Sequence, residues 1–171
     1  MSVDKDLFRA LAGSFASGVT IVTSGGDGHF HAMTASAFSS LSLDPPMVLV
    51  CVDKRAESLA IISRHGGFNI NVLNRSQEPL SNACARRGTP ESSLEGVSTR
   101  MGELGIPLIE GCLAYFECRV VHEFDAGDHI IFAGRVEAGS IGEAAEPLLY
   151  FRSNYAGLDA APLAERAPSG T

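Results

Sequence analysis

The stretch Cys112-Leu-Ala-Tyr-Phe-Glu-Cys-Arg-Val-Val-His-Glu-Phe124, then Asp125-Ala-Gly-Asp128, then His129-Ile-Ile-Phe-Ala-Gly-Arg-Val-Glu-Ala138 decides the fold class. From Cys112 to Phe124 one parity reads Cys, Ala, Phe, Cys, Val, His, Phe, while the other carries Glu117, Arg119 and Glu123. A period of two is the mark of a half-buried strand. Asp125 to Asp128 is turn chemistry, so His129 to Ala138 returns as the second arm of a hairpin. Downstream, Pro147 to Phe151 predicts a last short strand. Residues 1–158 then form one domain, and residues 159–171 read as a mobile tail.

Upstream the same grammar repeats. Leu7, Leu11 and Phe15 recur at helical spacing, with Asp4 and Asp6 suited to the first turn and Gly18 to the stop. Val19 to Thr23 is β-branched and reads as a strand, Ser24 to Gly28 as a turn, and His29 to Phe38 as the returning arm. Asp44-Pro45-Pro46 breaks the chain. Met47 to Val52 is apolar at both parities, which predicts a central strand covered on both faces.

A helix is expected from about Ala56 to His65, with Leu59 and Ile62 inward and Gly66 just past its end. Phe68, Ile70 and Val72 alternate with Asn69 and Asn71 in a short strand. Ser76 is expected to cap another helix that tolerates Pro79 in its first turn and stops at Gly88, and residues 89–106 to form a loop. Six or so strands joined largely by hairpins, with peripheral helices, make a mainly β, α+β protein built as a β-barrel.

Composition narrows the function classes. With 171 residues, 45% of them hydrophobic and 19% charged, the chain suits a globular domain. A net charge of -7 disfavours binding to nucleic acid as a polymer. No apolar run reaches the length of a membrane helix, and Met1 to Asp6 lacks a signal-peptide pattern, so a cytoplasmic address and no membrane partner are expected. Cys51, Cys84, Cys112 and Cys118 form no paired motif and read as small core residues, with Cys112 and Cys118 on one strand.

Chemistry is sparse by motif. There is no GxGxxG, GxxxxGK[ST], GxSxG or HExxH. His29 and His31 share one face of a strand but have no acidic or cysteine neighbour in sequence. They read as solvent-facing residues beside a turn, and no metal site is expected. Met33-Thr-Ala-Ser-Ala-Phe-Ser-Ser-Leu-Ser42 concentrates hydroxyls and small side chains. It suits either a bed for a flat ligand or an edge strand running into a Ser-rich loop. Residues 51–100 form the only net-basic third. Lys54-Arg55 falls where a strand meets a helix N-terminus, a good phosphate site in physical terms and otherwise a solvated turn.

These residues, taken together, resemble a known family. Met33 to Phe38, Ser42-Leu-Asp-Pro-Pro46, Val48 to Lys54, Phe68 to Leu73, Gly127-Asp-His129 and Pro147 to Arg152 look like flavin reductases built on the FMN-binding split barrel. The likeness is closest to the reductase components of two-component flavin monooxygenases, and it runs from about Leu7 to Leu158. It implies a homodimer that binds flavin (FMN or FAD) and a pyridine nucleotide (NADH or NADPH), and passes reduced flavin to a separate oxygenase. A flavin carrier on the same barrel is the alternative.

By position, Thr34, Ala35, Ser36 and Ala37 would line the isoalloxazine ring. Ser39, Ser40, Asp53, Lys54 and Ser58 would surround the ribityl chain and phosphate. Cys51, Val52 and Phe68 would complete the cofactor-binding set. Phe151 and Arg152 would border the nicotinamide, and His129 would orient it as the catalytic residue. Ala32 stands where the family often has Gly, which implies a less permissive backbone there.

Overall fold

Hairpin pairing organises the chain as the alternation requires. The computed structural model describes residues 3–86 and 94–158. In chain order the elements are α1 (Lys5–Gly13), β1 (Ser17–Gly18), β2 (Thr20–Gly26), β3 (His29–Ala35), β4 (Phe38–Leu43), β5 (Pro46–Asp53), α2 (Glu57–His65) and β6 (Gly67–Val72). A 3-10 turn (Arg75–Gln77) leads into α3 (Glu78–Cys84). Then come β7 (Thr99–Met101), β8 (Pro107–Ile109), β9 (Ala114–Ala126), β10 (His129–Ile141), β11 (Leu149–Phe151) and β12 (Asn154–Ala156).

Seven strands form one antiparallel sheet in the order β3-β2-β6-β9-β10-β5-β4. The long β9–β10 hairpin turns at Gly127-Asp128 and lays His129 opposite Asp53 of β5. Among the described residues the fold is mainly β with three α-helices. One core cluster gathers Val22, Val48, Val50, Val52, Ile62, Phe68, Ile70, Cys118 and Phe132; a second gathers Val19, Ile21, Ala32, Leu73, Cys84, Ile109, Cys112 and Leu148.

Several expectations need correction. Helix α1 is capped by the Asp4 side chain but ends at Gly13 rather than Gly18, and none of its residues is buried. In β5 only Val48, Val50 and Val52 turn fully inward, so this strand has one covered face rather than two. It lies between β10 and the edge strand β4, and Met47, Leu49 and Cys51 on its second side are only half-buried. The residue that caps the 3-10 turn before α3 is Asn74, whose side chain accepts from the Ser76 N–H. Cys112 precedes β9 and packs in the second cluster, while Cys118 lies within β9 in the first.

Within the expected loop, Thr99–Met101 pairs with Pro107–Ile109. That segment is held by two fully buried asparagines. Asn69 Nδ2 donates to the Ile106 carbonyl, and Asn71 Oδ1 accepts from the Ile109 N–H. The expected helix stop at Gly88 and the expected tail lie outside the described residues.

Candidate functional site

A cavity of about 340 Å³ opens where β3, the end of β5, the start of α2, the end of α3 and the first residue of β10 meet. Its floor is made of small groups. Ala35 closes β3, and Ser36 and Ala37 bridge to β4 outside either strand's register, which leaves the backbone uncovered by bulk. The Thr34 hydroxyl donates to the Ser81 carbonyl at 2.6 Å and so ties β3 to α3. The Cys51 N–H donates to the Ala37 carbonyl, which fixes this corner against β5.

The α2 end carries the polarity. Its N-cap is Ala56, which has no side-chain acceptor to offer, so the first-turn N–H groups keep their capacity for an anion. Asp53 accepts from the Arg55 N–H and takes its guanidinium at 3.0 and 2.7 Å. Lys54 turns away from the cavity and places Nζ 2.8 Å from Asp125 on the hairpin. Its own N–H donates to the Asp128 carbonyl, and this bond joins the end of β5 to the turn that presents His129. His129 Nδ1 lies 2.7 Å from Asp128 Oδ1, a hydrogen bond and charge that hold the Asp128 carboxyl below its usual range.

His31 is not solvent-facing; it is 8% exposed. Its Nδ1 lies 2.8 Å from Ser58 Oγ, and its Nε2 lies 3.7 Å from Glu57 Oε2. Burial lowers its pKa from 6.5, and Glu57 opposes that shift. Burial also raises the thiol pKa of Cys51 and pushes that of Cys84 up to about 11, so both cavity thiols are neutral near pH 7. Among the described residues no cluster of His, Cys, Asp or Glu could hold a metal ion. The cavity thus offers small-residue walls for a flat ring, an anion-ready helix start with Arg55 and Arg86 nearby, and an imidazole at its rim.

The flavin reductase like domain model matches residues 12–159, which is most of the chain. The chain belongs to the flavin reductase like family. It is 38% identical over 160 residues to the flavin-dependent monooxygenase reductase subunit HsaB of Mycobacterium tuberculosis, spanning 92% of this chain and 84% of that protein. The solved flavin reductase PheA2 superposes with a TM-score of 0.85 at 38% identity, covering 92% of this chain and all of that one. The NADH:FAD oxidoreductase SgcE6 of Streptomyces globisporus, solved with NAD and FAD fragments, gives a TM-score of 0.84 at 32% identity. That match covers 98% of this chain and 96% of the other.

In this flavin reductase fold, Thr34, Ala35, Ser36, Ala37, Cys51, Asp53, Ser58 and His129 all line the one cavity, although they come from four separate stretches. Ser39 lines a neighbouring groove with Phe15, Phe38 and Leu49, and Ser40 faces outward on β4. Val52 and Phe68 are fully buried in the first core cluster and do not line the cavity. Phe151 and Arg152 lie on the β11–β12 hairpin beside α1, where the Arg152 N–H donates to the Gly13 carbonyl. Neither residue lines the cavity within one chain.

Ala32 has no positive φ and is completely buried in the second cluster, so its departure from Gly costs the backbone nothing. Sequence reading missed His31, Glu57, Ala85 and Arg86. The spacing of His31, Met33 and Ala35 on one strand parity was the available signal for the first of these.

Proposed function

We propose that this chain is an NAD(P)H:flavin oxidoreductase on a split β-barrel, reducing FMN or FAD for use by a separate flavin-dependent monooxygenase. The observation that carries the reading is the meeting of the small-residue corner 34–37 with the uncapped start of α2 in one cavity. The first suits a flat tricyclic ring and the second a phosphate. Bound flavin supplies the hydride-accepting chemistry, and the protein supplies orientation and electrostatics.

In this reading the Ser36 and Ala37 backbone lies under the ring, and Ser58 with the α2 N–H groups holds the phosphate. His129, kept in place by Asp128, orients the nicotinamide at the rim. Phe151 and Arg152 do not line this cavity in one chain, and in this reading they border the nicotinamide of a second copy's site. Residues 1–158 act as one catalytic domain.

The test is steady-state oxidation of NADH and of NADPH by the purified chain, with FMN, FAD or riboflavin added in turn. Turnover that requires both protein and flavin supports the reading. Flavin binding without turnover would make the protein a carrier.

A further inference from the structure

The pair His31–Ser58 has a chemistry that the reduction step does not need. Ser58 is 2% exposed in the first turn of α2, while His31 is 8% exposed on β3; both line the cavity. A hydroxyl has one proton to give. With the neutral ring protonated at Nε2, on the Glu57 side, Nδ1 is an acceptor and the Ser58 hydroxyl donates its hydrogen bond to it. Ser58 then shows the cavity only oxygen lone pairs, which repel an anionic oxygen. When the ring gains a second proton from solvent, Nδ1–H donates to Ser58 Oγ, and the hydroxyl proton is released to point into the cavity.

We propose that His31 is a positioning residue for the flavin phosphate: its protonation reverses the hydrogen bond to Ser58 and converts Ser58 from an acceptor to a donor at the α2 N-terminus. This rests on the flavin-binding reading above. The switch adds one donor and one nearby positive charge to the site that would take the phosphate, so phosphate hold strengthens as pH falls.

The charged and titratable groups around the imidazole come from every side. Glu57 belongs to α2, Cys51 and Asp53 to β5, Arg55 to the β5–α2 link, Cys84 to the end of α3, Arg86 to the residues just past it, and His129 to β10. His29 shares its strand, and β2 contributes only Ser24 opposite it. Burial lowers the ring's pKa in the ligand-free chain, and Glu57 is the carboxylate best placed to favour its charged form. A bound phosphate adds a second negative group on the Ser58 side, and by linkage the two bind cooperatively.

The experiment measures FMN and riboflavin affinities by fluorescence titration from about pH 8 to pH 5.5, for the wild type, His31→Asn and Ser58→Ala. Asn keeps an acceptor for Ser58 but cannot be protonated, so it also carries the phosphate's own titration as a baseline. The wild-type preference for FMN over riboflavin, divided by that of His31→Asn, is expected to rise by about threefold to tenfold across this range. Ser58→Ala should lose the same component with His31 intact, and serves alone if the Asn variant does not fold. Parallel pH profiles in wild type and variants overturn the proposal while leaving flavin binding standing. Failure of the wild type to bind either flavin overturns the flavin reading and this proposal with it.

Discussion

His31 and His129 occupy opposite conditions around one cavity, and each makes a separate prediction. His31 is buried and its pKa lies below 6.5. The unfolded chain therefore takes up a proton first as pH falls, and stability drops from about pH 6.5 downward until the folded-state pKa is passed. Above that range the group contributes no pH dependence. The wild-type Tm should fall more steeply than that of His31→Asn between about pH 7 and pH 5.5, as read by circular dichroism. Equal slopes would contradict burial as the cause.

His129 is partly exposed and anchored to Asp128. His129→Ala is expected to lower kcat/KM for the pyridine nucleotide by about tenfold or more, because it removes an orienting contact rather than a proton donor. Flavin affinity should change little. Wild-type kcat/KM in that variant would sink the assignment.

Residue type and spacing made much of the cavity legible: the run 34–37, Asp53, Ser58 and His129 all arrive there. Val52 and Phe68 lie in the core rather than on the cavity wall, because adjacency to a motif does not say which face a strand residue takes. Arg86 carried no signal, since only the packing of α3 against β3 brings it to the cavity.

At the scale of elements, the β6–β9–β10 centre is tuned by size. Phe68 is fully buried on β6, and a Cβ added at Gly134 of β10 would sit 2.6 Å from Phe68 Cζ and 2.9 Å from Cys118 Cβ. Phe68→Ala should destabilise by about 3–5 kcal/mol through the cavity it leaves. Gly134→Ala should cost about 1–3 kcal/mol through overpacking. Urea unfolding of both variants checks the pair, and a Gly134→Ala protein as stable as wild type would show that the strands are free to part there. Hairpin periodicity revealed β2–β3 and β9–β10 well. It did not reveal β7–β8, whose hold comes from Asn69 and Asn71 reaching across from β6, a contact that no local pattern encodes.

The whole molecule presents an unfinished surface. On α1, Leu7, Phe8 and Leu11 are 50%, 63% and 58% exposed, and Phe15, just beyond it, is 80% exposed. Phe15 lines the groove formed with Ala37, Phe38 and Leu49 beside the cavity. A helix of nine residues is marginal without a packed face, and a continuous apolar patch of this kind marks an interface. We propose that a second copy covers it in a homodimer. Light scattering should give a dimer for the wild type and a monomer for Leu11→Asp combined with Phe15→Asp. A monomeric wild type would contradict the assembly, and a dimeric double variant would contradict this face.

The net charge of -7 described the surface but not the cavity, where Arg55, Arg86 and the start of α2 make local room for a phosphate. In the proposed reading this cavity brings a reduced nicotinamide to a flavin, and anaerobic mixing tests that transfer most directly, through the flavin's own absorbance. Flavin absorbance is followed after FMN or FAD and catalytic amounts of the chain meet NADH or NADPH. Bleaching of many flavins per protein molecule, absent without the chain, is the predicted result. Flavin that stays oxidised with every pairing would rule out a flavin reductase.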